Sequence, residues 1–597
     1  MSRTESAAFG QGQRHRLLVA VDFGTTYTGV AYCLSSNANL SQIETITTWP
    51  GSGGSVEKVP TELAYVPGQD PKWGPEASGS QYSRGSHGYL EVYGRFKLLL
   101  DPSIGRDVYG DVGNGSNDLY KHIMDNILQK RMPDTLASTP IEFIFTIPAI
   151  WSHKAQEATR TAATRAGFGS GGRAIDTITM ISEPEAAAIY SLASLHEDRK
   201  SMEKASMTVT KMKPGEHFIV CDAGGGTVDL ITYQIQQVFP DLVLRESVVG
   251  GGGKCGSTYI DEAFHRLLRQ KIGPSFDNGG IWTPKKKGKG SQLMQKFEIC
   301  KRTFGKDGNE VWFLELPVNV EDDEENGISD NELELTGNEM KSLFDPVVDN
   351  IIKLVQDQAT KVKTEDGTGG SRLAGKLTTV ILVGGFGESQ YLYKRLQDWA
   401  LKHSPPLTVI NPTKSWSAIV RGAVLQSLRP AVRTRKLRCH YGFKLSTDFD
   451  PKHHRKVDAR MCIWNDCWVI DDNVKWAANI GDDCAEERDI KFNVFFDVTP
   501  KDRARRSLKL LGSRYHDPPR EASSDKVFRF GQVPLGQVPL DLSEINLKRL
   551  PKKVVDGRTH HQVNCVVNMR IGSADASFSV WIGNKCYGSS RISYKND

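Results

Sequence analysis

Val19-Ala20-Val21-Asp22-Phe23-Gly24-Thr25-Thr26-Tyr27-Thr28-Gly29-Val30-Ala31-Tyr32 reads as an apolar strand, a tight Gly-Thr-Thr turn and a second strand. Such a turn presents backbone N–H groups and hydroxyls to phosphate oxygens. An aspartate at the strand end can hold a magnesium ion through its water shell. One such stretch is an ordinary hairpin. The same logic returns in Ile219-Val220-Cys221-Asp222-Ala223-Gly224-Gly225-Gly226-Thr227-Val228-Asp229-Leu230. Here three glycines let the backbone approach a polyphosphate without a side chain in the way. Chance supplies one motif readily and the ordered pair poorly, so the pair predicts duplicated lobes clasping one nucleotide.

Rival phosphate motifs fail. Gly253-Lys254 is followed by Cys255, and position 248 is Val, so no Walker pattern forms. Gly385-Phe386-Gly387 follows a strand, but Gln390 stands where a dinucleotide fingerprint needs a small residue.

Around the two motifs, the first 430 residues alternate strand-like and helix-like runs, which predicts an α/β architecture. Strands are expected at Leu17–Asp22, Glu142–Ile147, His217–Asp222 and Leu377–Val383. Helices are expected at His153–Ala166, Glu185–Leu195, Ser257–Leu268, Leu293–Phe304 and Tyr391–Leu401. Polar, Gly-rich or charged stretches at Ser35–Ser55, Asp277–Ser291, Glu321–Asn331 and Lys363–Gly375 read as surface loops. Past Leu428 the character changes. A basic segment, Arg429 to Arg438, leads into short β-type runs at Phe492–Val498, Val527–Phe530, Val563–Ile571 and Phe578–Ile582. Gly531–Leu535 and Gly536–Leu540 repeat one turn-like unit, too few copies for a solenoid.

At 597 residues the chain has room for roughly three to four folding units. Its formal charge of +5 is small for that size and calls for neither a specific nucleic acid nor a membrane partner. Met1 to Gln13 lack the apolar stretch of a secretory signal, and no apolar run approaches the ~20 residues that span a bilayer. The ten cysteines form no Cys-x-x-Cys pair. Cys462, Cys467 and Cys484, near His453 and His454, lack zinc spacing and read as reduced thiols of a cytosolic protein. The basic runs at Lys285–Lys289 and Arg433–Arg438 read as solvated loops before nuclear-import or polyanion patches.

With these motifs in order, the chain resembles the heat-shock protein 70 family of the actin, sugar-kinase and chaperone superfamily across Leu17 to Leu428. Asp22 to Tyr27 and Asp222 to Asp229 look like its two phosphate motifs. Ile147-Pro148-Ala149 and the helix from Gln156 to Gly167 resemble its first connecting segment, and Ile181 to Ile189 its Glu-Pro-x-Ala-Ala-Ala element. Gly256 to Asp261 sits where the family begins a helix after its second-lobe hairpins. Val383-Gly384-Gly385-Phe386 resembles the adenosine-contacting turn, and Asn411-Pro412 with Gly422-Ala423 the second connecting segment. Glu298, Lys301 and Arg302 share one helical face. Alone that is a solvated charged face; between the second hairpin and Gly384-Gly385 it resembles the surface that holds adenine and ribose.

The resemblance implies a two-lobed actin-like ATPase of duplicated ribonuclease H-like domains, followed by a β-rich C-terminal domain. It divides the chain into a disordered tail (1–15), lobe I (16–214) and lobe II (215–430) with the adenosine-binding subdomain and final connecting segment. A β-rich domain (431–597), read as a reduced substrate or partner domain, completes it. It implies ATP/ADP and Mg2+ as cofactors. Asp22, Asp222 and Asp229 order the metal mainly through water, while Gly24, Thr25, Thr26 and Tyr27, with Gly224, Gly225, Gly226 and Thr227, receive the phosphates. Lys97, in Gly94-Arg95-Phe96-Lys97-Leu98-Leu99, aligns with the catalytic lysine; Glu183 positions water or the metal shell, and Asp222 and Thr227 complete the catalytic set. Slow ATP hydrolysis gating a C-terminal polypeptide site is the implied activity, with unfolded or client polypeptides and co-chaperones as partners. A monomer in the cytoplasm, and also the nucleus, is expected. The alternatives are a nucleotide-binding switch or scaffold with negligible hydrolysis, and a small-molecule kinase of the same superfamily.

Several residues depart from the family pattern. Glu388 stands where a basic residue flanks adenine, Gly305 replaces a small hydroxyl residue, and Thr413 follows Asn411-Pro412 in a lengthened segment. The junction Arg433-Thr434-Arg435-Lys436-Leu437-Arg438 is basic where an acidic, leucine-rich linker is usual. No lid-like helical stretch follows, and Tyr594-Lys595-Asn596-Asp597 lacks the co-chaperone tail. These traits resemble the short, divergent branch typified by family A member 12.

Overall fold

The computed structural model describes residues 15–36, 40–65, 71–80, 92–100, 119–149, 151, 153–201, 212–238, 241–288, 290–305, 309–365, 375–485, 489–501, 506–529, 537–571 and 576–591. The N-terminal tail before residue 15, most of the 363–375 loop, the repeat from 531 to 536 and the 594–597 end lie outside the described residues.

Leu17–Phe23 pairs antiparallel with Tyr27–Leu34 on one side and parallel with Ile141–Ile147 on the other, and Thr177–Ser182 extends the sheet. Alternate residues of a strand face opposite ways. Leu17, Val19 and Val21 therefore enter one core with Phe143 and Phe168, while Leu18 and Ala20 enter another with Ala186 and Ala423. Both faces of the sheet are covered, which explains the unbroken apolar run.

The second lobe repeats this plan. His217–Ala223 pairs antiparallel with Val228–Gln237 and parallel with Leu377–Val383. Ile219 and Cys221 face a core built with the helices Thr258–Ile272 and Gly337–Glu365, whereas Phe218 and Val220 join Leu18 and Ala20. The two lobes thus share one apolar core. Between them lie the helices Glu183–Ser201 and Ala418–Leu428. They cross so closely that a Cβ on Gly422 would fall 1.8 Å from the Ala186 carbonyl oxygen.

The expected elements are present, with shifted ends. The helix expected from Glu185 begins at Glu183, because Pro184 fits a first turn whose N–H needs no intrahelical partner. The 29-residue helix Gly337–Glu365 was not singled out above, although a capping box announces it. Thr336 Oγ1 accepts from the Glu339 amide at 3.3 Å, and Glu339 returns a bond to the Thr336 amide at 2.9 Å. The stretch Asp277–Ser291, read as a surface loop, is anchored by Phe276 and Trp282, each 1% exposed. No helix among the described residues is long and apolar enough to cross a membrane.

The basic junction is itself a strand. Val432–Lys436 pairs parallel with Val243–Gly253 of the second-lobe sheet and antiparallel with Asp483–Ala485. Its charges are paired: Arg435 with Glu185 at 2.7 Å, Lys436 with Asp483 at 3.2 Å, and the neighbouring Arg438 with Glu246 at 2.7 Å.

Beyond it, the described residues form strands and short 3-10 turns, with no α-helix. One sheet runs Ala459–Met461, Trp468–Ala478, His440–Asp448, Arg506–Ser513, and the other Ile490–Val498, Arg558–Ile571, Ala576–Ile582, Lys585–Arg591. Phe443 of the first packs on Phe492 of the second, ring centres 4.5 Å apart.

The helix crossing generates a test. Gly422→Val places methyl groups where the Ala186 backbone lies and is expected to destabilise the chain by about 1–3 kcal/mol. Gly279→Val, where nothing lies within 4 Å, is the control. Urea unfolding followed by tryptophan fluorescence compares them.

Candidate functional site

The two Gly turns are the same turn built twice. Gly24 N–H donates to the Tyr27 carbonyl at 3.0 Å, and Gly224 N–H to the Thr227 carbonyl at 3.0 Å. They also meet. A Cβ on Gly225 would come within 2.4 Å of the Thr26 hydroxyl, and one on Gly226 within 3.0 Å of the Thr25 methyl. Glycine is needed there for close approach. The start of helix Thr258–Ile272 braces the second turn: the amides of Gly256, Ser257 and Thr258 donate to the Gly226, Gly224 and Gly225 carbonyls at 3.3, 3.2 and 2.9 Å.

Below the turns, burial concentrates charge. Asp22, Glu183, Asp222 and Asp229 are all at most 8% exposed, as are Lys58 and Lys97. Lys97 Nζ donates to Glu183 at 2.6 Å and lies 5.3 Å from the Trp151 ring centre. Lys58 Nζ donates to Asp22 at 2.6 Å, and Thr146 donates to the other Asp22 oxygen at 3.0 Å.

The surroundings set the ionisation of each acid. Burial opposes the charged form of Asp22, yet Lys58 and Lys97 together hold it below its usual value of 3.8. Burial pushes Glu183 up to about 7; Lys97 pulls down, and the charges of Asp22 and Asp229 add to the rise. Asp222 rises well above 3.8 through burial and the facing Glu183, Asp229 and Asp22, with Lys58 opposing.

Four carboxylates face two ammonium groups, a surplus of two negative charges when all are ionised. A buried surplus of this kind favours a divalent cation over empty space. Among the described residues, no three His, Cys, Asp or Glu are close enough to cage a bare ion. The acids therefore suit a cation that arrives with water or phosphate oxygens as its other ligands. Gly384, with φ +86°, brings its backbone against Asp222, where a Cβ would lie 2.4 Å from a carboxylate oxygen.

Beside the turns opens a cavity of about 180 Å3, lined by Thr26 and Tyr27 of the first lobe and by Glu298, Lys301, Arg302, Gly385, Phe386 and Trp416 of the second. Lys301 is buried and tied to Asp261 at 2.6 Å and Glu298 at 2.5 Å, while Arg302 stays about half exposed at the cavity rim. Arg302 bonds Glu298 at 2.8 Å and the Tyr27 hydroxyl at 3.2 Å. Its guanidinium sits 5.6 Å from the Trp416 ring, which meets Tyr27 edge-on at 5.5 Å. Flat, partly cationic walls of this sort suit a planar ring. Phe386, only 5% exposed, packs toward Phe344, ring centres 6.2 Å apart.

Asp22, Asp222, Asp229, Lys97 and Glu183 are thus buried beneath the turns, and Thr26, Tyr27, Glu298, Lys301, Arg302, Gly385 and Phe386 line the cavity beside them. The structure also accounts for two departures. Glu388 accepts a bond from Ser415 at 3.1 Å and adds its negative charge to the surroundings of Arg302. Gly305 has φ +128°, and a Cβ there would meet the Tyr391 amide at 2.6 Å, so no side chain fits. Sequence reasoning missed Lys58, Thr146, Asp261 and Trp416. Only Trp416 carried a signal, as the sole aromatic in the lengthened segment after Asn411-Pro412.

The raised acids make stability fall with pH. A folded Glu183 that keeps its proton up to about 7, against 4.5 when unfolded, stabilises the fold fully below 4.5. That contribution declines as pH rises through 7. Asp222 acts in the same direction, and Asp22 in the opposite one, below its own 3.8. The ligand-free chain is expected to melt at lower temperature at pH about 8 than at about 5.5, and Glu183→Gln or Asp222→Asn to flatten the difference. Scanning calorimetry across that range checks both.

No family model matches the chain. It is 25% identical over 547 residues to "Heat shock 70 kDa protein 12A" of Homo sapiens, covering 79% of the chain and 77% of that protein. It is 23% identical over 444 residues to "Chaperone protein HscA homolog" of Acidithiobacillus ferrooxidans, covering 72% and 60%. A shorter match, 27% over 284 residues, joins 46% of the chain to 38% of "Chaperone protein DnaK" of Thermoplasma volcanium. Because 79% of 597 residues exceeds the 430 that precede the junction strand, the first match reaches into the C-terminal region.

Proposed function

We propose that this chain, a divergent relative of the heat-shock protein 70 chaperones, binds magnesium–ATP between its lobes and hydrolyses it slowly to gate a polypeptide site in its C-terminal region. The observation that carries the reading is the meeting of two turns, closed by the same Gly N–H to carbonyl bond, over a buried set of carboxylates and lysines.

Thr25, Thr26 and Thr227, with the turn amides, hold the phosphates, and the Arg302–Trp416–Tyr27 wall holds the adenine side. Asp222 and Asp229 would hold magnesium, mainly through water, in the cleft they share with Asp22; the metal would supply charge neutralisation on the phosphates. Lys97, fixed by Glu183, steadies the terminal phosphoryl group and the attacking water. The water oxygen bonds to the γ-phosphorus, the bond to the bridging oxygen breaks, and the water's proton leaves on inorganic phosphate. Such chemistry needs positioned charge more than a strong base.

Lys97→Ala and Asp222→Asn are each expected to lower steady-state phosphate release by about 100-fold or more. Wild-type turnover in both would overturn the chemistry. Trp416→Ala is expected to weaken nucleotide binding by about 3- to 30-fold with little change in the rate of bound ATP, read by calorimetric titration and single-turnover assay. An unfolded polypeptide is expected to stimulate phosphate release. A second reading, a nucleotide switch with negligible turnover, draws on the acidic Glu388 near Arg302; ATP retained intact over hours would favour it.

A further inference from the structure

Lys58 enters the cleft from a strand that none of the motifs includes. Lys58–Pro60 pairs antiparallel with Tyr27–Leu34, placing Lys58 opposite Gly29, which in turn lies opposite Asp22. The lysine stem crosses directly over Gly29: a Cβ there would come within 2.8 Å of Lys58 Cγ and 3.3 Å of its Cε. The missing side chain is what lets the ammonium reach across the hairpin. It ends 2.6 Å from Asp22, with both side chains almost fully buried, at 6% and 4% exposure.

This contact competes with the role expected of Asp22. One Asp22 oxygen accepts from Lys58 and the other from Thr146. Each oxygen keeps a second lone pair, but rotating the carboxylate toward a metal's water shell would break one of these buried, charge-assisted bonds. Lys97, the other buried ammonium of the cleft, is committed to Glu183. The Lys58 charge also acts on Asp222 across the cleft, so the ammonium lies within the field of both lobes.

We infer that Lys58 is a built-in cation of the phosphate site, which takes Asp22 out of the metal's ligand set and performs part of the metal's electrostatic work. The inference rests on the nucleotide-binding reading and deepens it. It makes Lys58 a positioning and specificity residue: nucleotide affinity depends less on divalent metal with Lys58 than without it. Asp222 and Asp229 become the principal anchors of the metal's water shell.

The test measures the dissociation constant of ADP at saturating magnesium and again in EDTA, for wild type and Lys58→Met. Manganese titration in the presence of ADP, followed by electron paramagnetic resonance, reads the metal directly. Lys58→Met is expected to raise the EDTA-to-magnesium ratio of dissociation constants by about tenfold or more, and to tighten manganese, because a competing cation is gone and Asp22 is released. An unchanged or smaller ratio, or weaker manganese binding, would overturn the proposal. A merely structural lysine, with no part in holding phosphate, would leave the EDTA-to-magnesium ratio unchanged.

Lys58→Met leaves Asp22 buried without its counter-charge, so Asp22→Asn/Lys58→Met carries the test if the single variant does not fold. The double variant keeps the net charge of the cleft. It is expected to bind manganese as wild type does, yet to bind ADP in EDTA about tenfold more weakly. Wild-type affinity in EDTA would again overturn the role. If wild type bound no ADP even with magnesium, the function proposed above would fail first.

Discussion

Four carboxylates buried in one cleft repel one another, and the molecule has to resist that repulsion before any ligand arrives. Two lysines offset part of it, and raised proton affinity at Glu183 and Asp222 offsets more. What remains is borne by the scaffold. Each acid is anchored in regular structure: Asp22 and Asp222 near the ends of central strands, Asp229 early in a second strand, Glu183 at the start of a helix. Retreat of any one of them would require its strand or helix to leave a packed core.

That core explains why the cleft can be both tense and ordered. Leu18 and Ala20 of one lobe and Phe218 and Val220 of the other press on the same pair of crossing helices. A displacement of either central strand is felt by Ala186 and Gly422, where backbones touch and no side chain cushions the contact. Closely packed interiors transmit strain in this way. Glu183 sits three residues before Ala186, so the crossing and the acid cluster share one helical turn.

Much of this was legible in the sequence, for a physical reason. Turns that need glycine, strands buried on both faces and aspartates at strand ends are local features, written in consecutive residues. Hence the two hairpins, their acids and the helices near Glu183 and Thr258 could be placed from the chain alone, whereas Gly337–Glu365 and Ala418–Leu428 were not. The residues that escaped notice act across large sequence separations. Lys58 reads as one lysine among many until the pairing with Tyr27–Leu34 sets it over Gly29. Asp261 gains its meaning from Lys301, and Thr146 from Asp22. Likewise the ring beside Arg302, Trp416, comes from a distant segment. The basic junction misleads in the same way, since Arg435 meets its partner at Glu185.

That junction strand has a mechanical consequence. A domain hung on a loose tether can turn without its neighbour noticing. Here the tether is stitched into the edge of the second-lobe sheet by backbone ladders on both sides. Arg435 grips Glu185, two positions along from Glu183 on the same helix. The anchor of the C-terminal strands thus bonds the same helix whose first residue accepts from Lys97.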